Sequence, residues 1–163
     1  MRHIISILME NESGALSRVA GLFSARGYNI ESLSVAATDD PTLSRLSLVT
    51  TGSDEIVEQI IKQLNKLIDV VKLMDLTEHE HIERELMLVK FQVDASQRQQ
   101  VKEMADIFSA TIIDVSPTCC TVQLTANGKK LKSFLDAIKP IPVLEIVRSG
   151  SLGIARGDIS LKL

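Results

Sequence analysis

Between residues 2 and 76 the spacing of apolar side chains changes period in a set order, and that order leaves few folds open. Residues 4–9 are an apolar, β-branched run that reads as a strand. Asn11-Glu12-Ser13-Gly14 breaks it as a polar loop. Leu16, Val19, Ala20 and Phe23 then recur at i, i+3, i+4 and i+7, the spacing of one helix face. Gly27 supplies the stop, because glycine accepts the left-handed conformation common just past a helix end. Residues 30–37 alternate as a strand, Asp39-Asp40-Pro41 is turn chemistry, and residues 43–51 alternate again, so the two strands predict a hairpin. Ser53 is placed to cap a second helix, with Asp54 and Glu55 favourable in its first turn. Ile56, Ile60, Leu64 and Leu67 give that helix its buried face, and residues 70–76 close the unit as a fourth strand.

Strand, helix, strand, strand, helix, strand is the split βαβ or ferredoxin-like arrangement. Two helices then cover one face of a four-stranded sheet, and the other face or an edge needs a partner. Residues 77–82, Thr-Glu-His-Glu-His-Ile, form a polar break and the best domain boundary. The theme then repeats. Residues 85–93 predict a strand. Val101, Met104, Ala105 and Phe108 repeat the spacing of the first helix. Residues 111–115 and 121–125 are strands around Ser116-Pro117. Leu131, Phe134, Leu135 and Ile138 form another helix face, and residues 142–147 are a last strand. Leu22-Phe23-Ser24-Ala25 and Ile107-Phe108-Ser109-Ala110 rhyme at equivalent places, which points to an internal duplication. The expected organisation is α+β, two ferredoxin-like βαββαβ-type domains in tandem. The first spans 1–76, a linker spans 77–82, and the second spans 83–163 with its tail. Gly150, Gly153 and Gly157 predict an extended or loosely packed tail.

Charge narrows the function. The net charge is −3, with ten acidic and seven basic residues before Thr77 and eleven of each from there on. Neither half is a basic module of the kind that binds a duplex. The aromatic residues Phe23, Tyr28, Phe91, Phe108 and Phe134 are too few, and too apolar in context, for a base-stacking platform. No nucleic-acid partner is expected. Nor is a membrane partner, since no apolar run approaches the roughly 20 residues of a span. Adjacent Cys119 and Cys120 read as reduced thiols, which suits the cytoplasm.

Catalytic signatures fail together. There is no phosphate-binding loop and no Gly-x-Gly-x-x-Gly. His3 opens a strand, while His79 and His81 stand among Glu78, Glu80 and Glu83 with no partnering pair elsewhere, so no metal is expected. Nothing near the cysteines would activate a thiolate, and burial in a strand is their expected role. No catalytic residue is assigned.

One loop does carry chemistry. Glu10-Asn11-Glu12-Ser13-Gly14-Ala15-Leu16-Ser17-Arg18 joins the first strand to the first helix. A helix start leaves backbone N–H groups unpaired and carries partial positive charge, ready for a carboxylate. Gly14 removes the side chain where a ligand would approach. Asn11 offers a donor and an acceptor to a zwitterion. Leu16, Ile30 and Leu33 are candidate apolar walls. A small aliphatic amino acid matches such a site, and ordinary turn chemistry is the plainer reading of the same residues.

The run Ile7-Leu8-Met9-Glu10-Asn11-Glu12-Ser13-Gly14-Ala15-Leu16-Ser17-Arg18-Val19, followed by Leu22-Phe23-Ser24-Ala25-Arg26-Gly27-Tyr28-Asn29-Ile30-Glu31-Ser32-Leu33, resembles an ACT domain. More closely, the chain resembles the regulatory small subunits of acetohydroxyacid (acetolactate) synthase. The similarity continues through Thr38–Arg45, 63–70, 83–90 and Arg148-Ser149-Gly150. The resemblance implies a separate catalytic large subunit that carries thiamine diphosphate, magnesium and FAD, with no cofactor in this chain. It implies activation of that enzyme and feedback inhibition by a branched-chain amino acid, typically valine. It further implies a homodimer through ACT domains, with Asn11, Gly14, Ala15 and Leu16 from one subunit and Asn29 and Ile30 from its mate around the ligand. An ACT-containing amino-acid-responsive transcription regulator is the alternative, and it would need a DNA-reading element that neither half displays.

Overall fold

Strands and helices alternate in the computed structural model, which describes residues 1–163, in two compact units. The first comprises Met1–Ile82 together with Ser151–Leu163, the second Glu83–Gly150. Unit 1 holds β1 (Arg2–Glu10), α1 (Ala15–Arg26), β2 (Ser32–Ala37), β3 (Leu43–Thr51), α2 (Asp54–Leu64) and β4 (Val70–Asp75), followed by a 3₁₀ turn over Leu76–Glu78. Its sheet runs β2-β3-β1-β4, antiparallel throughout. Ile5, Ile7, Met9, Leu46 and Leu48 face the two helices and meet Val19, Phe23, Val57, Ile60 and Leu64. Burying one such side chain contributes about 1.5–3 kcal/mol, so this layer carries unit 1.

Two helix faces are rotated from the expected ones. Ala15, Val19 and Phe23 are buried in α1, and Leu16 is 37% exposed. In α2 the buried set is Val57, Ile60 and Leu64, and Ile56 is exposed. Sequence spacing finds an apolar stripe but not its rotation: the neighbouring residue in each first turn, Ala15 in α1 and Val57 in α2, takes the buried place instead. Ser53 caps α2 as expected, its hydroxyl accepting from the Ile56 N–H at 3.3 Å. Gly27 ends α1 with φ 69°.

The tail is the larger correction. Expected as a loose appendage of the second domain, Ser151–Leu163 belongs to unit 1. Its strand β9 (Leu152–Ala155) pairs with β5 (His81–Gln92), which begins in that unit. The Arg156 N–H donates to the Glu80 carbonyl at 2.8 Å. Ala155 packs against Ile4, Val49 and Leu76, and Leu161 packs against Leu8 and Leu43. These are the side chains on the sheet face turned away from the helices. The face that seemed to need a partner is thus covered in part by the chain's own end. The Arg45 guanidinium lies there too, donating to Ser6 Oγ at 2.7 Å and to the Gly153 carbonyl at 3.1 Å. Its half-burial pulls its pKa down.

Unit 2 repeats the order with the rest of β5, α3 (Ala95–Phe108), β6 (Thr111–Val115), β7 (Cys119–Ala126), α4 (Gly128–Ala137) and β8 (Val143–Arg148). Its strand order, β6-β7-β5-β8, matches unit 1 position for position. Met87, Val89 and Phe91 face Val101, Leu131 and Phe134. Asp94 and Gln97 form a reciprocal capping box at the start of α3.

Candidate functional site

The turn between β1 and α1 is built by three bonds. The Glu10 N–H donates to the Asp69 carbonyl and the Asn11 N–H to the Thr42 carbonyl, both at 2.8 Å. The Asn11 side-chain amide donates to the Pro41 carbonyl at 3.0 Å. That bond uses one of the two N–H donors of the Asn11 amide and leaves its oxygen as an acceptor. Gly14 is the N-cap of α1 with φ 86°, a left-handed conformation that glycine adopts without steric cost, and no side chain caps the helix there. The first amide of the helix, at Ala15, reaches the Glu12 carbonyl at 3.2 Å, and the Arg18 N–H closes the first full turn on the Gly14 carbonyl at 2.9 Å. The N–H groups of Leu16 and Ser17 between them take no protein acceptor. Ala15 lies beneath in the core, and Leu16 stands out beside the open N–H groups.

Asn29 and Ile30 are elsewhere. The Thr50 hydroxyl donates to the Asn29 carbonyl at 2.6 Å, and the Glu31 N–H donates to the Val49 carbonyl. Asn11 is tied to Thr42, eight residues back along the same line of chain. At about 3.3 Å per residue the two groups stand roughly 26 Å apart. One chain therefore assembles Asn11, Gly14, Ala15 and Leu16, and leaves Asn29 and Ile30 at the opposite end of the sheet. Leu33 follows Ile30 to that end, paired with Leu48.

Sequence spacing missed the strongest electrostatic feature of the region. Arg18 reaches Asp69 with two donors, Nε to Oδ2 and Nη2 to Oδ1, the second at 3.0 Å. Asp69 is buried, 4% exposed. The partners are 51 residues apart in sequence, so no local period signals them; the only cue was an arginine one turn into a helix that starts with glycine. Hydrogen bonding to Arg18 holds the Asp69 carboxyl below its ordinary value of 3.8. A carboxyl depressed in the folded state contributes stability above its unfolded pKa and loses it as pH falls through the folded one. Asp69→Asn is therefore expected to lower stability by a constant amount from neutral pH down to about pH 4. Below that, wild type and variant converge. Urea melts at stepped pH check this, and a gap that persists at pH 2 would show the carboxylate charge to be irrelevant.

The remaining expected groups are plainly placed. Cys120 is buried in β7 and burial pushes its thiol up, away from thiolate reactivity. The His81 ring is hydrogen-bonded to the His79 carbonyl at 2.8 Å. No three His, Cys, Asp or Glu side chains converge as a metal site, and no helix is long and apolar enough to cross a membrane. His3, unassigned from sequence, is buried with its Nδ1 2.8 Å from Asp75 Oδ2.

Comparison with known proteins agrees with this architecture. Residues 5–72 match a family described as AHAS small subunit-like ACT domain, and residues 84–157 match one described as small subunit of acetolactate synthase. The acetolactate synthase isozyme 3 small subunit of Salmonella typhimurium is 54% identical over 159 residues, covering 97% of this chain and 98% of that one. The isozyme 3 small subunit of Escherichia coli shows the same identity and coverage. The crystal structure of the acetolactate synthase small subunit from Thermotoga maritima superposes with a TM-score of 0.88 at 35% identity, over 98% of this chain and 99% of that one. A match of this extent, through both units and the tail, places the chain in the acetolactate synthase small-subunit family.

Proposed function

We propose that this chain is the non-catalytic regulatory partner of a separate acetolactate synthase large subunit. It raises that enzyme's activity and makes it sensitive to a branched-chain amino acid, valine foremost. Thiamine diphosphate, magnesium and FAD are carried by the large subunit in this reading. The observation that carries the sensor role is the uncapped start of α1, where Gly14 leaves two N–H groups open beside an exposed Leu16. An α-carboxylate suits those donors, and the free oxygen of Asn11 suits the ammonium group.

The split site supports a dimer. β2 is an edge strand with Val35, Ala36 and Ala37 exposed. Antiparallel pairing of two such edges about a twofold axis sets the start of one β2 against the end of the other. That end, Ala37, pairs with Ser44, close to Thr42 and hence to Asn11. The mate's Asn29 and Ile30 would thereby come to the end of the sheet that carries the loop. A ligand held across such an interface shifts the population toward the pairing it binds better, and that is how inhibition would reach the large subunit.

Calorimetric titration of the purified protein with valine, leucine, isoleucine and alanine is the test, followed by reconstitution with the large subunit. Saturable binding that prefers valine, and valine inhibition of the reconstituted enzyme, are expected. An enzyme neither stimulated by this chain nor inhibited by valine in its presence would overturn the reading. Asn29→Ala is expected to weaken valine binding about tenfold, the loss of one hydrogen bond to a charged group. An unchanged isotherm would remove the mate's residues from the site.

A further inference from the structure

Arg18 does more in this geometry than hold α1 to the loop before β4. Helical side chains lean toward the N-terminus of their helix, and Arg18 leans back over Gly14. Its Nη1 stands 3.0 Å from where a Cβ on Gly14 would lie, and the guanidinium carbon 3.6 Å away. Asp69 takes Nε and Nη2, a bidentate grip from a carboxylate whose side chain is only 6% exposed. The third nitrogen, Nη1, has no protein acceptor and stands over Gly14, the N-cap after which the Leu16 and Ser17 N–H groups are left open. The Arg18 side chain is about half exposed, so a small solute reaches it. Asp69 is in turn anchored through its backbone, whose carbonyl accepts from the Glu10 N–H at the mouth of the loop.

Building on the effector reading above, we propose that Arg18 is the specificity-determining cation of the site, receiving the effector's α-carboxylate on Nη1, and that Asp69 is the positioning residue that aims it. The pair selects for a free carboxylate. It fixes one end of the zwitterion and leaves the branched side chain to be sorted by Leu16 and the residues of the mate. The requirement for glycine at position 14 gains a second cause besides φ, since any side chain would occupy the gap between the guanidinium and the ligand. Glu12 also acts on the guanidinium and raises its pKa further.

The probes are valine and valinamide, which differ at the carboxylate alone, titrated into the full-length protein and its Arg18→Gln, Arg18→Lys and Asp69→Asn variants. Wild type is expected to prefer valine over valinamide strongly. Arg18→Gln is expected to lose roughly 10- to 100-fold in valine affinity, the size of one charge-assisted hydrogen bond, with valinamide affected less than threefold. Arg18→Lys should recover part of the preference, and Asp69→Asn should lower it without abolishing it. If Arg18→Gln weakens both probes equally, its role is structural and the proposal is wrong. If it binds valine as wild type does, the proposal is wrong and the effector reading stands. If wild type binds neither probe, with or without the large subunit, both fail together. Thermal melting of each variant separates a lost contact from a lost fold.

Discussion

Gly14→Asp is expected to abolish effector binding while unit 1 stays folded. The backbone there has φ 86°, a conformation that costs most side chains about 1–2 kcal/mol but that aspartate tolerates better. A Cβ would start 3.0 Å from Arg18 Nη1, which sends the new carboxylate to the guanidinium and to the open N–H groups of Leu16 and Ser17. The substitution therefore installs an internal anion at the place proposed for the effector's carboxylate. It is also a favourable N-cap residue, worth a few tenths of a kcal/mol over glycine, which offsets a small part of the backbone strain. Loss of two charge-assisted hydrogen bonds at roughly 1.5–3 kcal/mol each, with like-charge repulsion added, predicts a drop in valine affinity of more than 100-fold. Calorimetry on the variant, with a melting curve as the control for folding, checks both halves. A saturable isotherm within tenfold of wild type would take the carboxylate site out of this loop.

The variant also shows what local pattern could and could not reveal. Strand β3, the hairpin before it, the Ser53 cap and the glycine stop at Gly27 follow from periods and caps that act within a few residues, and all are where the spacing put them. The loop of Asn11 and Gly14 was legible for the same reason: a helix start and a glycine are local facts. Its chemistry was only half legible. Asn11 looked free to donate or accept, and the structure ties one of its two N–H donors to Pro41. Arg18 and Asp69, like His3 and Asp75, meet through the pairing of β1 with β4 and the packing of α1, at separations of 51 and 72 residues. Nothing in a helical or strand period marks such a partner. Leu16 and Ile56 belong to periodic apolar stripes, yet the buried places fall to their neighbours Ala15 and Val57, because a period fixes the width of a stripe and not its rotation against the sheet. The tail was least legible. Its glycines suggested looseness, whereas Gly153 is small because the chain there is pressed against the sheet. An added Cβ would lie 2.6 Å from Leu76 Cδ1 and 2.9 Å from Ile4 Cδ1.

Removal of residues 151–163 is accordingly expected to destabilise unit 1 severely. The tail shields Ile4, Leu8, Leu43, Val49 and Leu76, each at most 9% exposed. Burial of Leu161 alone supplies about 1.5–3 kcal/mol. Exposure of the apolar face beneath it, with loss of the Arg45 bond to the Gly153 carbonyl and the Lys72 bond to the Lys162 carbonyl, brings the expected loss to roughly 3–5 kcal/mol. For a chain of this size each kcal/mol moves the melting temperature by about 2–4 °C, so a drop of about 6–20 °C is predicted, with aggregation through the bared sheet. Gly153→Val separates packing from chain length. It keeps every tail residue but forces methyl groups into a space already filled, at a cost of about 1–3 kcal/mol. Leu161→Ala removes side-chain carbons and leaves the backbone path intact, and a loss of about 2 kcal/mol is expected because the site lies at the edge of the core. If the tail only lay along the surface, all three variants would melt within 2 °C of wild type. If it is an integral layer of unit 1, the truncation would melt lowest and both point variants would fall between it and wild type, because Leu161→Ala removes part of what the truncation removes whole and Gly153→Val loosens the tail's seat on Ile4 and Leu76.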